Sequence, residues 1–334
     1  MIEPPKEAPA MLTSAAWFAA GLAALVLGAE VMVRGGTWIA ARLGISQLIV
    51  GLTVVSIGTS MPELAVGVVS AAEGNGALAV GNITGTNVVN LLLVLGLSAL
   101  LLPLAIELRT LRFELPVMAV AALLLWALAA DGVLSRWDGA VLAICAIVYT
   151  VVLVAAARRE SAQFTTELAA TSFKPRTTDD RRAVTRYVAM TLGGIVVVVI
   201  GAEWLVDAAV DMARGFGVSD AFIGLTVVAI GTSAPELVTT VVSTLRKERD
   251  IAIGNLLGSS IYNLLLILGV TCLIPAHGLA LPAALVRIDI PVMVAVALVC
   301  IPIFISGRRV SRAEGGAMVL AYLCFLAFVL VTQV

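Results

Sequence analysis

The chain has 334 residues, 60% hydrophobic and only 13% charged, with a mean hydropathy of +1.07 and a formal net charge of −1. A soluble domain is about half apolar and about a quarter charged, so this composition describes a polytopic membrane protein. The charge balance offers nothing to nucleic acid. The single histidine, His277, lies in a Pro/Ala/Gly loop and argues against histidine-based catalysis or zinc binding.

In chain order, the first ten residues, MIEPPKEAPA, are acidic and Pro-rich and lack the basic stretch that opens a signal peptide. Ten stretches of about 20 mostly apolar residues follow, each long enough to cross a bilayer as a helix. They are 12–33, 47–72, 77–102, 114–130, 138–157, 187–209, 220–244, 251–273, 286–305 and 314–333. The expected fold class is therefore all-α integral membrane, in two halves of five helices, 12–157 and 187–333. Between them lies 158–186, the one sizeable polar linker, which is too short for a folded domain. Cys145, Cys272, Cys300 and Cys324 lie in or beside apolar runs without CxxC spacing and read as small buried hydrophobes.

Span 2 places Ser56, Thr59, Ser60 and Glu63 at i, i+3, i+4 and i+7, on one helix face. Pro62 follows inside the span, removing a backbone donor and clashing with the carbonyl of Gly58. The segment is expected to unwind near 56–62 and to aim freed carbonyls at the same space as the hydroxyls and the carboxylate. Such irregular backbone is tolerated at this depth where it is buried in protein or lines a cavity. Span 3 adds Thr86 and Asn90, again one turn apart. The same polar residues return in the second half: VGLTVVSIGTSMPEL (50–64) becomes IGLTVVAIGTSAPEL (223–237), identical at twelve of fifteen positions. GNITGTNVVNLLLVLG (81–96) becomes GNLLGSSIYNLLLILG (254–269), identical at nine of sixteen. The second copy thus offers Thr232, Ser233, Glu236, Ser259 and Asn263, with Ala229 in place of Ser56. One serine in a span usually bonds to its own helix. Recurrence in register of two glutamates, two prolines, the hydroxyls and two asparagines is not explained that way. Oxygen-only donors suit hard cations such as Ca²⁺, and intramembrane carboxylates mark ion pathways. Gly81, Gly85, Gly254 and Gly258 read as close-approach positions between helices. Glu30 and Glu203 also recur, with interface or vestibule roles expected, Glu30 pairing with Arg34 one turn on. Asn82-Ile83-Thr84 fits a glycosylation sequon by chance, within an apolar span.

Five spans per half is an odd number, so the second copy must cross in the opposite sense, as an inverted repeat. With 158–186 in the cytoplasm and both termini outside, 17 of the 21 Lys and Arg fall inside. Only Lys6, Arg136, Arg214 and Arg287 fall outside. That bias fits the positive-inside rule.

The paired blocks GTSMPE with GNITGTNVVN and GTSAPE with GNLLGSSIYN resemble the α-repeats of the cation/Ca²⁺ antiporter superfamily, most closely its sodium/calcium exchanger branch of prokaryotic type. The resemblance covers nearly the whole chain. It implies ten helices, broken helices 2 and 7, and alternating access around a mid-membrane cluster of four ion sites. It implies Glu63 and Glu236 as central Ca²⁺ ligands and Asn90 and Asn263 completing that position. The hydroxyls of Thr59, Ser60, Thr86, Thr232, Ser233 and Ser259, with the backbone carbonyls of Ser56 and Ala229, would form Na⁺ sites. Some relatives carry Asp at the position of Asn263, so the asparagine argues against K⁺ co-transport. Proton-coupled relatives show GNxxE where this chain has GNITG and GNLLG, which argues against H⁺ coupling.

The expected function is Ca²⁺/Na⁺ exchange at the plasma or inner membrane, with the ions as substrates, the bilayer as surroundings, and no cofactor, enzyme activity or protein partner. Expelling one Ca²⁺ against a ~10⁴-fold gradient and ~100 mV costs about 10 kcal/mol. Each Na⁺ entering down a ~tenfold gradient returns about 3.7 kcal/mol. Two Na⁺ are insufficient and three suffice. The runner-up is an H⁺-coupled Ca²⁺ or other divalent antiporter. A cation channel gains little from two occluding broken helices, and an intramembrane enzyme wants a nucleophile–base pair or metal-binding histidines that the sequence does not show.

Overall fold

The computed structural model describes residues 8–108, 110–170, 181–216 and 229–333. Its helices are α1 (Ala8–Leu43), α2 (Gln47–Thr59), α3 (Met61–Ala72), α4 (Gly76–Leu101), α5 (Thr110–Asp131), α6 (Arg136–Ala170), α7 (Arg181–Gly215), α8 (Ala229–Thr232), α9 (Ala234–Leu245), α10 (Arg249–Leu273), α11 (Leu285–Arg308) and α12 (Arg312–Gln333). Eight are long and apolar enough to cross a membrane, and α2 with α3 forms one further bent span. Of the expected span 220–244, residues 220–228 lie outside the described residues, and α8 and α9 are its remainder. Lys6, Arg109, Lys174 and Arg176, used in the charge count, also lie outside them.

Three helices run well past their expected bounds. α1 covers 8–43 rather than 12–33, α6 reaches Ala170, and α7 begins at Arg181. Most of the segment 158–186 is therefore helix. Hydropathy marks the part that crosses lipid; charged helix formers such as Arg158, Arg159 and Glu160 carry the helix on beyond it.

The longest contact in the fold joins α1 to α7, and it is antiparallel. Gly21 meets Gly201 and Leu205, Gly28 meets Gly194 and Val198, and Gly35 meets Tyr187 and Thr191. A Cβ on Gly28 would lie 2.9 Å from the Gly194 carbonyl oxygen, so the backbones touch only because neither residue has a side chain. Leu25, Ala29, Val198 and Ala202 fill the seam, and the second pair sits 173 residues after the first. α4 and α10 are the most buried of the membrane-length helices. Each packs against the last helix of the other half: α4 on α12 through Gly96 and Gly315, α10 on α6 through Gly269 and Gly139.

Two short ribbons tie the loops. β1 (Leu104–Ala105) pairs antiparallel with β4 (Arg309–Val310), and β2 (Val133–Leu134) with β3 (Leu279–Ala280). Beside each ribbon a capping box starts the next helix: Ser135 Oγ donates to Asp138 at 2.6 Å, and Ser311 Oγ to Glu314 at 2.6 Å. Arg136 donates to the carbonyls of Ile274 and Pro275, and Arg312 to that of Leu101, so each covers the frayed end of a helix in the opposite half.

Candidate functional site

The site is built on the break between α2 and α3. The expected unwinding across 56–62 does not occur. Residues Ser56–Thr59 stay helical, and the break is confined to Ser60 (φ −86°, ψ 12°), with a 43° bend. Pro62 explains why one residue suffices. It falls in the first turn of α3, where an N–H would lack an intrahelical acceptor anyway. The second copy repeats the device, with Ser233 at φ −86°, ψ 4° between α8 and α9 and Pro235 in the first turn. Glu63 and Glu236 sit in the first turns of α3 and α9, where the helix dipole favours an anionic side chain.

Ser56, Thr59, Ser60 and Glu63 are all fully buried, as their shared face requires, and so are Glu236, Ser259, Asn90 and Asn263. Hydrogen bonds bring the two halves together. Ser60 Oγ donates to Glu236 Oε1 at 3.0 Å, and Ser259 Oγ reaches the same oxygen at 3.4 Å. Ser259 Oγ also lies 3.4 Å from the Ser56 carbonyl oxygen, which accepts the Ser60 N–H as well. The approach of α10 to α2 that allows this runs through Gly51, Gly254 and Gly258; a Cβ on Gly258 would lie 2.6 Å from Ser56 Oγ.

Across the pseudo-equivalent positions the network is lopsided. Glu236 holds two hydroxyl donors, whereas neither oxygen of Glu63 has a hydrogen-bond partner among the described residues. Ser233 Oγ and Thr86 Oγ1, the counterparts of Ser60 and Ser259, are likewise unpartnered there, as are both amide atoms of Asn90 and of Asn263. Of Ala229 only the backbone is described, at the first residue of α8.

Sequence reasoning missed Asn82 and Asn255. Thr59 Oγ1 lies 3.2 Å from Asn255 Oδ1, and Thr232 Oγ1 lies 3.4 Å from Asn82 Oδ1, the same pair made twice across the two halves. Asn255 Nδ2 further donates to Thr240 Oγ1 at 3.1 Å. The signal was present in the repeated Gly-Asn at 81–82 and 254–255, obscured in the first copy by the sequon. Also unforeseen are π-helical turns, Val89–Val94 and Asn263–Ile267, at equivalent places in α4 and α10. Each begins at or beside the buried asparagine, and such turns commonly mark functional positions. Glu30 does pair with Arg34, at 2.7 Å, and also with Arg246 of the loop after α9.

The donor set is carboxylate, hydroxyl, amide and carbonyl oxygen, with no group of three or more His, Cys, Asp or Glu among the described residues. Unpartnered buried oxygens on several helices fit a hard cation held by many neutral oxygens and few charges. An all-helical bundle enclosing such a donor set midway along a broken span defines a multi-span membrane cation transporter. The chain belongs to the sodium/calcium exchanger protein family, which it matches over residues 13–155 and 186–331. It is 36% identical to the inner membrane protein YrbG of Escherichia coli K12, over 79% of this chain and 81% of that one. It is 30% identical to the sodium/calcium exchanger MaX1 of Methanosarcina acetivorans, over 92% and 95%. Its fold superposes on a solved structure of the sodium–calcium exchanger NCX_Mj with a TM-score of 0.81, at 27% identity, covering 95% of this chain and 99% of that one. The chain is thus a membrane antiporter of the cation/Ca²⁺ class, and its family is one of transporters rather than enzymes.

Proposed function

We propose that the protein exchanges Ca²⁺ for Na⁺, three Na⁺ for each Ca²⁺ and therefore electrogenically, by alternating access around Glu63 and Glu236. The observation that carries the reading is the state of Glu63: a fully buried carboxylate with no donor from the described residues, three residues on from Ser60, which itself donates to the second buried carboxylate, Glu236. An uncompensated buried charge is costly, and a bound divalent cation offsets two of them. The ions are substrates. Glu63, Glu236, Asn90 and Asn263 hold Ca²⁺. Thr59, Ser60, Thr86, Thr232, Ser233 and Ser259, with the carbonyls of Ser56 and Ala229, hold Na⁺.

Ten spans in two inverted halves support the alternation. The antiparallel α1–α7 pair joins equivalent helices, and a pair related by an in-plane axis must run in opposite senses. The ribbons fit as well, since the loop before α5 pairs with the loop before α12 and not with its own counterpart before α11. Both termini then lie outside and 158–186 inside, in the plasma or inner membrane. The test is ⁴⁵Ca²⁺ flux into proteoliposomes with Na⁺, K⁺ or H⁺ gradients imposed one at a time. Uptake driven by Na⁺ alone is expected; uptake driven by H⁺ alone would transfer the protein to the proton-coupled class.

A further inference from the structure

Away from the two glutamates, a chain of polar side chains crosses three helices and ends beside Asn263. Glu114, near the start of α5, is fully buried and accepts a hydrogen bond from Tyr149 Oη of α6 at 2.9 Å. The Tyr149 ring stacks on Phe113 and packs edge-to-face against Tyr262 of α10, with the two tyrosine centroids 5.6 Å apart. Tyr262 Oη lies 2.9 Å from Thr150 Oγ1, which itself donates to the Ala146 carbonyl at 2.8 Å. The threonine proton is thereby committed, so the tyrosine is the donor of that pair.

Packing alone does not require these hydroxyls. Counted from the matching Ser135 and Ser311, the equivalents of Tyr149 and Thr150 are Phe325 and Leu326, and the equivalent of Tyr262 is Val89. The other copy thus fills the same places with hydrocarbon. A buried hydroxyl is costly unless its bond is made. Once made, the bond fixes a direction, where a phenyl ring only fills space.

The direction being fixed is that of the helix beside the ion site. Tyr262 immediately precedes the π turn Asn263–Ile267, and Asn263 is the next residue along. Both amide atoms of Asn263 lack a hydrogen-bond partner among the described residues, so its orientation follows the rotation of α10. Asn255 and Ser259 register the preceding turns through their bonds to α2 and to Glu236. The regular ladder that would carry their register onward changes at Asn263. A side-chain tip sits about 5–6 Å from a helix axis, so about 10° of rotation moves it by about 1 Å. A binding site must hold its ligands to within about 0.5 Å.

We propose that Tyr262, held by Thr150 and buttressed by Tyr149 on Glu114, is a positioning residue for the ion site. It sets the rotation at which Asn263 offers its amide oxygen to the cation. The proposal rests on the reading of Asn263 as a Ca²⁺ ligand. The two asparagines are then unequal: Asn263 is held, while Asn90 follows Val89 and has no such chain behind it. Releasing Tyr262 leaves the ligand present but turned correctly only part of the time, and the apparent dissociation constant rises as that fraction falls.

The test measures equilibrium binding of ⁴⁵Ca²⁺ to the purified full chain in Na⁺-free detergent solution, beside thermal denaturation of each variant. Tyr262→Phe is expected to raise the half-saturating Ca²⁺ concentration about fivefold, the effect of one neutral hydrogen bond. Thr150→Val does the same, and Thr150→Ser keeps the unmutated value. Tyr262→Phe combined with Thr150→Val is no worse than either alone, since both remove one bond. Asn263→Ala weakens binding by itself, and Tyr262→Phe added to it changes nothing further; added to Asn90→Ala, it still raises the concentration about fivefold. Where Asn263→Ala does not accumulate, Asn263→Leu replaces it. A lowered melting temperature in Tyr262→Phe with unchanged Ca²⁺ affinity means a structural brace only and overturns the proposal. So does a full fivefold loss on top of Asn263→Ala, or a Thr150→Ser variant as weak as Thr150→Val. Normal binding by Asn263→Ala sinks the reading of Asn263 as a ligand and this proposal with it. Weakened binding by Asn263→Ala with normal affinity in Tyr262→Phe sinks this proposal alone.

Discussion

Glu63 and Glu236 occupy equivalent positions yet meet different surroundings, Glu236 with two hydroxyl donors and Glu63 with none from the described residues. On the proposed site both supply charge to one Ca²⁺, so Glu63→Gln and Glu236→Gln are each expected to lower Ca²⁺ flux by about 10²-fold or more while the protein still inserts. Near-normal ⁴⁵Ca²⁺ exchange by either variant would remove that residue from the site. Asn263→Asp keeps the shape of the side chain, so packing survives, but on the proposed site it adds a third carboxylate to two others. Like charges at close range favour recruiting another cation. The expected outcome is a new K⁺ or H⁺ dependence of Ca²⁺ flux; wild-type ion profiles would show that Asn263 faces away from the ions. These residues were legible because a carboxylate inside an apolar span is expensive and the duplication recorded each one twice. Asn82 and Asn255 were not, because an asparagine reads equally well as a sequon, a helix contact or a ligand until its partner threonine is seen.

At the level of elements, hydropathy located the spans and misjudged their ends, since α1, α6 and α7 continue as charged helix outside the apolar stretch. Pro62 and Pro235 correctly marked the breaks. Their extent was overestimated because a proline in a first turn demands no unwinding. The π turns left no trace in the hydrophobic pattern, since in a helix buried on nearly every side one extra residue in a turn shifts no boundary between an apolar and a solvent face. The capping boxes are a sharper case: Ser135 with Asp138, and Ser311 with Glu314, make the same bonds at equal distances. Ser135→Ala and Ser311→Ala should therefore each cost about 1 kcal/mol and lower the melting temperature by similar small amounts, with transport retained. A large difference between the two in thermal denaturation would mean that the ribbons beside them do not carry equivalent loads.

For the molecule as a whole, the odd span count and the distribution of arginine and lysine lead to the expectation of inversion. The antiparallel contact of α1 with α7 and the crossed pairing of the ribbons fit it. The conformation was not readable, because the two halves repeat the same motifs and differ by small inequalities that hydropathy does not register. Those inequalities are physical: Arg246 opposite Glu30 on one side, Glu73 in the corresponding place on the other. On the proposed exchange a full set of both ions is not held at once, because Glu63 and Glu236 supply two negative charges, enough to neutralise one Ca²⁺ and not three Na⁺ besides. Na⁺ and Ca²⁺ should therefore compete, and with three Na⁺ exchanged for one Ca²⁺ each cycle moves one net charge. At about 2.3 kcal/mol per charge per 100 mV, an imposed potential, positive on the side that Na⁺ leaves, should drive Ca²⁺ the other way without any Na⁺ gradient. The check is ⁴⁵Ca²⁺ uptake into proteoliposomes with equal Na⁺ on both sides and a K⁺–valinomycin potential of either sign. Uptake indifferent to the sign of the potential would exclude the three-to-one exchange, and Ca²⁺ saturation unmoved by high Na⁺ would exclude the shared site.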